Sequence, residues 1–280
     1  MYTTNRLIGD VGSTSSDWAW LSTDGVTRFD SVGFNPVVQN NQQLNLLLDQ
    51  IKTIVPQTIA FRLVYYGAGA GNADIKDHIR NAFRQNFQVA DAEICSDLLA
   101  VARATCQAEP GIVCILGTGS NAGAYNGADI VYQTPTLGYP LGDEGSGMDI
   151  GRRMVKAFYY RHLPHDLYDL ATHVFPVERY DFLQQLRESG QPNKFLAQYA
   201  QFAGKHKSHP FIQKLLAASF EDFIRIHLGS QEKYQKINFA GSIAYYFCSE
   251  LGISLSKWQL ELGEVVRKPI EGLVRFHLGA

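Results

Sequence analysis

The 280-residue sequence has no apolar run approaching the roughly 18 residues that a membrane-spanning helix needs, so no transmembrane segment and no membrane partner are expected. It has no basic excess. A formal net charge of −2 provides no electrostatic footprint for a nucleic acid. Cysteine is scarce: Cys95, Cys106, Cys114 and Cys248 are neither at C-x-x-C spacing nor accompanied by histidine at metal-ligand spacing. A disulfide scaffold or a zinc ribbon has nothing to build on, and reduced thiols of a cytoplasmic protein are expected. Charge runs and low-complexity tracts are missing too. Met1 to Arg6 leads straight into an expected strand, so no cleaved signal segment is expected. There is also no Walker-type Gly-Lys-Ser/Thr, so any phosphate must be held by other backbone.

What is present is ordinary for a globular protein, 45% hydrophobic and 19% charged, and long enough for two domains. The most informative stretch is Ile115-Leu116-Gly117-Thr118-Gly119-Ser120-Asn121. Gly111 to Cys114 reads as a buried strand leading into it, Ala122 to Tyr125 resumes as a strand, and Asn126-Gly127 turns the chain back. Two glycines and two hydroxyls at a tight turn present N–H and O–H donors with little cover, which suits a phosphate. A plain turn is the alternative. A second phosphate-type turn, at residues 9–15, adds weight to the first reading.

The first strand, Leu7 to Val11, is followed by strands over Asp17–Leu21 and Val26–Val32, an antiparallel meander with Trp18 and Trp20 on one face. Pro36 is expected to open a helix striped by Leu44, Leu47, Leu48, Ile51, Ile54 and Val55. A strand over Ile59–Tyr66 ends in the glycine-rich run 67–71. A helix over Ala73–Phe87, a strand over Val89–Ile94 and a helix over Asp97–Cys106 follow. The order β-β-β-α-β-α-β-α indicates an α/β domain with a mixed sheet. The hairpin around residues 112–133 begins the same meander again, which hints at a duplicated architecture. Residues 145–235 are expected to be mostly helical, with Ser208 capping one helix and His227 as a helix-face histidine. A strand over Lys236–Ala240, a helix stopping at Gly252, a short strand at Val265-Val266 and a helix over Pro269–Leu278 close the chain.

Five short pieces stand in order: Gly9-Asp10-Val11-Gly12-Ser13-Thr14, Cys95-Ser96-Asp97, Leu116 to Asn121, Gly142-Asp143-Glu144-Gly145-Ser146-Gly147, and Phe239-Ala240-Gly241-Ser242-Ile243-Ala244. The set resembles the N-acetylglucosamine kinase branch of the BadF/BadG/BcrA/BcrD ATPases, within the sugar kinase, actin and Hsp70 superfamily. The resemblance runs over roughly residues 6–275 and is most specific at Gly-Asp-Glu-Gly-Ser-Gly. It implies an α/β protein of two ribonuclease-H-like domains, an actin-like ATPase fold with an interdomain cleft holding ATP and Mg²⁺. The domains would be 1–113 and 114–280, the second carrying a helical insertion and the final helix packing back on the first. The implied activity is ATP-dependent phosphoryl transfer to an amino sugar, N-acetylglucosamine at its 6-hydroxyl or a related cell-wall sugar. The resemblance leaves room for a homodimer.

Residue by residue, the resemblance implies that Asp10 holds Mg²⁺ through water, a hard oxygen ligand for a hard cation; a turn-capping aspartate is the alternative. Gly12, Ser13 and Thr14, together with Gly117, Thr118, Gly119 and Ser120, would donate to phosphates. Gly241 and Ser242 match the adenosine motif. Asp97 would accept the proton of the attacking hydroxyl, or simply cap its helix. Asp143 and Glu144 would accept sugar hydroxyls, or else serve the electrostatics of a helix N-terminus. Asn35 and Asn121 complete the expected substrate set. One departure is plain: vertebrate-type kinases carry Gly-Trp-Gly ahead of the acidic string, and here Thr136-Leu137-Gly138-Tyr139 stands there. Two other functions stay open. A dehydratase-activator ATPase would need cluster-ligating thiolates in a glycine context. A non-catalytic sugar sensor would usually add a DNA-binding helix-turn-helix.

Overall fold

The computed structural model describes residues 5–229 and 236–279. The described residues up to Glu109, with Gly127–Asp129 and those from Lys268 onward, form one compact unit. Pro110–Asn126 and Ile130–Arg267 form the second.

The first unit begins with β1 (Arg6–Val11), β2 (Ser15–Ser22) and β3 (Gly25–Val32), then α1 (Asn41–Lys52), β4 (Phe61–Gly67), α2 (Ala73–Asn86), β5 (Val89–Ser96) and α3 (Asp97–Cys106). Its sheet has the order β3-β2-β1-β4-β5. The meander pairs antiparallel, whereas β4 and β5 continue the sheet in parallel, because a helix connects each of them to the strand before. Trp18, Trp20, Phe61, Tyr65, Phe83 and Phe87 fill one face, sealed by Leu44, Leu47, Leu48 and Ile51 of α1. The buried Trp18 indole N–H is satisfied by the hydroxyls of Ser16 at 2.8 Å and Ser31 at 3.0 Å.

The second unit repeats the topology. Strands β6 (Gly111–Leu116), β7 (Ser120–Tyr125), β8 (Ile130–Gln133), β9 (Lys236–Ala240) and β10 (Glu261–Val266) lie in the order β10-β9-β6-β7-β8. Again the hairpins are antiparallel, and β9 and β10 add in parallel. Between β8 and β9 come α4 (Gly147–Tyr159), α5 (His165–Ala171), α6 (Arg179–Glu188), α7 (Pro192–Ala197), α8 (Ala200–Lys205), α9 (Pro210–Phe223) and a π-helical turn, Ile224–Leu228. Helices α10 (Ser242–Tyr246) and α11 (Cys248–Ser256) join β9 to β10. Helix α12 (Ile270–Leu278) belongs to the first unit and packs on α3 and β1. Among the described residues, no helix is long and apolar enough to cross a membrane.

Several boundaries differ from the sequence expectation. Pro36 lies in a turn; α1 starts five residues later behind Asn40, whose side chain accepts the Gln42 N–H. Ile54 is consequently outside the helix and exposed, while Val55 is buried. Helix α9 is capped by His209, whose Nδ1 accepts the Phe211 N–H at 3.0 Å, and not by Ser208. The chain breaks between α10 and α11 at Phe247, and α11 passes through Gly252 to Ser256. The helical stretch expected to reach residue 235 is described only to Gly229; residues 1–4, 230–235 and 280 lie outside the described residues.

Candidate active site

In the first unit, β1 delivers Asp10 to its C-terminal end, opposite Asp17 of β2 and Tyr66 of β4. Desolvation pushes the Asp10 carboxyl up to about 7; the like charges of Asp17 and Asp97 add to the rise, and Lys268 opposes it. Lys268 Nζ donates to Asp17 Oδ1 at 2.5 Å. Beyond Asp10 the chain turns tightly. The Gly12 N–H donates to the Ser15 carbonyl at 3.1 Å, and the Ser13 and Thr14 N–H groups donate to no other described residue.

The segment after β3 backs this turn. The Phe34 N–H donates to the Gly12 carbonyl at 3.0 Å and the Gly33 N–H to the Thr14 carbonyl at 3.1 Å. Asn35 Nδ2 donates to Ser13 Oγ at 2.9 Å, while its Oδ1 accepts the Val37 N–H at 3.0 Å. Asn35 therefore braces the turn, leaving its second amide hydrogen available. Asp97 opens α3, and the N-cap is its neighbour: Ser96 Oγ accepts the Leu99 N–H at 3.3 Å. Asp97 Oδ1 accepts from Leu98 N–H at 2.8 Å. Burial raises the Asp97 carboxyl above its ordinary range, against the pull of the Leu98 N–H and its own.

The second unit repeats the arrangement. The Gly117 N–H donates to the Gly119 carbonyl at 3.0 Å, and the Thr118 and Gly119 N–H groups donate to no other described residue. The Ser120 hydroxyl is buried without a partner. The turn is anchored from behind, where the N–H groups of Gly147 and Met148 reach the carbonyls of Gly117 and Thr118 at 2.8 and 3.1 Å. Gly241, at φ +115°, runs so close that any side chain would collide with the Leu116 carbonyl. Its N–H donates to the Val266 carbonyl at 3.0 Å, and Ser242 stands exposed at the start of α10. Asn121 Oδ1 is occupied by its own neighbour's N–H, Ala122, and by Gln133 Nε2, both at 2.9 Å.

The two acids of the glycine-bounded loop part company. Asp143, at φ +63°, turns Oδ1 onto the hairpin turn, where it accepts the Ser120 N–H at 3.1 Å. Burial raises its carboxyl, chiefly against the pull of that N–H, and the Glu144 charge adds to the rise. Glu144 faces away from that contact, with Oε2 3.3 Å from His227 Nε2.

No protein-family model matches the sequence, and no curated protein does. Solved structures match over nearly the full chain. The putative N-acetylglucosamine kinase of Porphyromonas gingivalis is 30% identical, with 98% of each chain covered and a TM-score of 0.87. That of Chromobacterium violaceum is 18% identical, again with 98% of each chain covered, at 0.76. A ROK family glucokinase from Streptomyces griseus, in complex with glucose and AMPPNP, is 13% identical over 99% of each chain at 0.56. The chain belongs to the sugar kinase and actin-like ATPase superfamily. Its two mixed five-stranded sheets are the ribonuclease-H-like layers of that fold.

Two features of this superfamily member escaped the sequence reading. Asp149, in the first turn of α4, is fully buried and holds Arg152 at 2.8 Å, Arg153 at 2.9 Å and the Ser219 hydroxyl at 2.6 Å. Its Oδ2 also accepts the Gly145 N–H at 3.4 Å, which ties the acidic loop to α4 and α9. The i,i+3 and i,i+4 spacing of Asp149 with the two arginines was a visible signal. The second feature is the partner of His227: the histidine is buried on the π-helical turn, on the same face as Phe223, and its contact with Glu144 across more than eighty residues has no local sequence signal.

Proposed function

We propose that this protein is an ATP-dependent kinase of an amino sugar, in the BadF/BadG-type branch of its superfamily, with the N-acetylglucosamine 6-hydroxyl as the first candidate acceptor. N-acetylmuramate, glucosamine and other cell-wall sugars come next. The observation that carries the reading is the repeated hairpin turn. In each unit a glycine N–H closes the turn, and the next two N–H groups, beside hydroxyl side chains, have no acceptor among the described residues. Such paired donors suit phosphate oxygens. The 30% identity to a putative N-acetylglucosamine kinase supports the substrate class.

In this reading Gly12, Ser13, Thr14 and Gly117 to Ser120 donate to the phosphates of ATP, and Gly241 with Ser242 admits the adenosine. Asp97 accepts the proton of the attacking sugar hydroxyl. As that O–P bond forms, the bond from the γ-phosphorus to the ADP oxygen breaks, and ADP leaves. Charge stabilisation and positioning supply most of the rate in such transfers. Asp10 suits Mg²⁺ as a carboxylate at the phosphate turn. Among the described residues no group of three or more His, Cys, Asp and Glu gathers as an all-protein cage, which agrees with a cation that keeps waters and phosphate ligands. Mg²⁺, when bound, neutralises phosphate charge. Asn35, Asn121, Asp143 and Glu144 form the proposed acceptor set. The thiols support this reading over cluster chemistry, since none of the four cysteines stands in the glycine context of a cluster-ligating pair. The proposal includes a cytoplasmic protein with no nucleic-acid or membrane partner, in which a homodimer is compatible with the chemistry.

The test is to incubate the protein with ATP, Mg²⁺ and a panel of amino sugars and to analyse products by mass. One sugar of the panel is expected to gain a phosphoryl group. ATP hydrolysis indifferent to every sugar would overturn the reading.

A further inference from the structure

The His227 side chain is buried at 3% exposure, yet its polar contacts are few. Nε2 meets Glu144 Oε2 at 3.3 Å, and Nδ1 is buried with no partner among the described residues. A histidine with one satisfied nitrogen is a poor choice for filling a core, because a buried polar group costs free energy unless it is hydrogen-bonded. The one bond it makes is therefore the informative one. With no partner at Nδ1, the donor belongs on Nε2, facing the carboxylate.

The surroundings fix that ring. It stacks on Phe223 with centroids 4.9 Å apart and planes 30° apart. The residue's carbonyl accepts the Thr134 hydroxyl at 3.3 Å. The π-helical turn Ile224–Leu228 widens the helix end, so that His227 faces inward while Arg225 and Ile226 stay exposed. π-Helical turns are rare and concentrate at functional sites. Phe223 also packs against the residue after Glu144: at Gly145, φ +73°, a Cβ would lie 2.8 Å from Phe223 Cβ. The acidic loop is thus braced twice, through Asp143 on the Ser120 N–H and through Glu144 on His227. Glu144 Oε1 has no partner among the described residues and remains able to accept a hydroxyl.

We propose that His227 is a positioning residue for the sugar acceptor: it holds Glu144 Oε2 so that Oε1 is presented to a substrate hydroxyl. The inference rests on the sugar-kinase reading above. It is tested by steady-state kinetics of the parent, His227→Phe, His227→Gln, Glu144→Gln and the double variant His227→Phe/Glu144→Gln, using the sugar that the panel identifies. His227→Phe should raise the acceptor KM about tenfold or more, the scale of a lost hydrogen bond to a charged group. The ATP KM should stay within about twofold. His227→Gln, which keeps a donor, should recover most of the loss. The double variant should be no worse than Glu144→Gln alone, because both changes remove the same contact. An unchanged acceptor KM in His227→Phe, or losses that multiply in the double variant, would overturn the proposal while leaving the kinase reading intact. A parent that phosphorylates no amino sugar would overturn both. Should His227→Phe fail to fold, Glu144→Gln decides, since an unchanged acceptor KM there removes the group His227 is said to position.

Discussion

Asp10, the carboxylate proposed for Mg²⁺, opposes stability. It ends β1 in a desolvated place beside the charges of Asp17 and Asp97, and its carboxyl is pushed up to about 7. The folded chain therefore holds that proton more tightly than the unfolded chain does. This group's contribution falls as pH rises from about 4 through about 7, and the cost persists above that. Asp10→Asn removes the cost. At neutral pH it should melt about 2 °C or more above the parent, the shift that roughly 1 kcal/mol produces in a protein of this size. The gain should vanish in acid, and Mg·ATP affinity should collapse. Calorimetry and nucleotide titration check this; a variant that melts lower yet binds as tightly would contradict it. At this scale the sequence was informative about residue type but not about partner. The aspartate at the end of a first strand was legible in Gly-Asp-Val-Gly-Ser-Thr. That Ser96, rather than Asp97, would cap α3 was not, because adjacent polar residues compete for the same N–H groups and only backbone geometry decides. His227 follows the same rule: helical spacing aligned it with Phe223, while the π-helical turn and the Glu144 contact were not legible, because neither has a local sequence signal.

Among the elements, α12 makes the clearest energetic statement. Arg103 Nη1 donates to Tyr66 Oη at 2.8 Å and to Glu93 Oε1 at 2.6 Å. The tyrosine hydroxyl is hydrogen-bonded to His277 Nε2 at 2.7 Å. Arg6 reaches the His277 carbonyl. Desolvation, with the charges of Arg103, Arg6 and Arg62 against that of Glu93, draws the His277 pKa down to about 4. The unfolded chain takes up this proton near 6.5 and the folded one near 4. Stability from this group is thus complete above about 6.5 and falls as pH drops toward 4. Melting temperatures across that window should fall more steeply for the parent than for His277→Gln; parallel curves would show that the histidine does not govern the docking of α12. The succession of elements and the hairpins were legible here because period-two patterns and Asn-Gly or Asp-Gly turns are local signals. Helix ends were less so. Pro36 suits a turn as well as a first helical position, and Gly252 carries no positive φ to stop α11.

At the scale of the whole molecule, one strand order appears twice, and each copy ends its first hairpin in the same kind of donor-rich turn. That repeat was legible as two glycine-hydroxyl turns about a hundred residues apart, each after a short buried strand. Of the helices from α4 to Leu228, only the one behind Pro210 was legible by its own stripe, Phe211, Leu215 and Phe223; the short α5 to α8 were legible only as helical in bulk, since helices of a few turns carry too little amphipathic period. In the proposed kinase Asp97 serves the acceptor hydroxyl while the glycine turns serve the nucleotide. The most direct measurement of this division is sugar-dependent ADP release by the parent and by Asp97→Asn, with ATP affinity and melting temperature taken on the same samples. Release should be about 10² to 10⁴ slower in the variant, the usual loss with a general base, at unchanged ATP affinity and with melting not lowered, because Ser96 still caps the helix and the desolvation cost of the carboxylate is removed. Release at the parent rate, or a loss traced entirely to weaker ATP binding, would contradict that division.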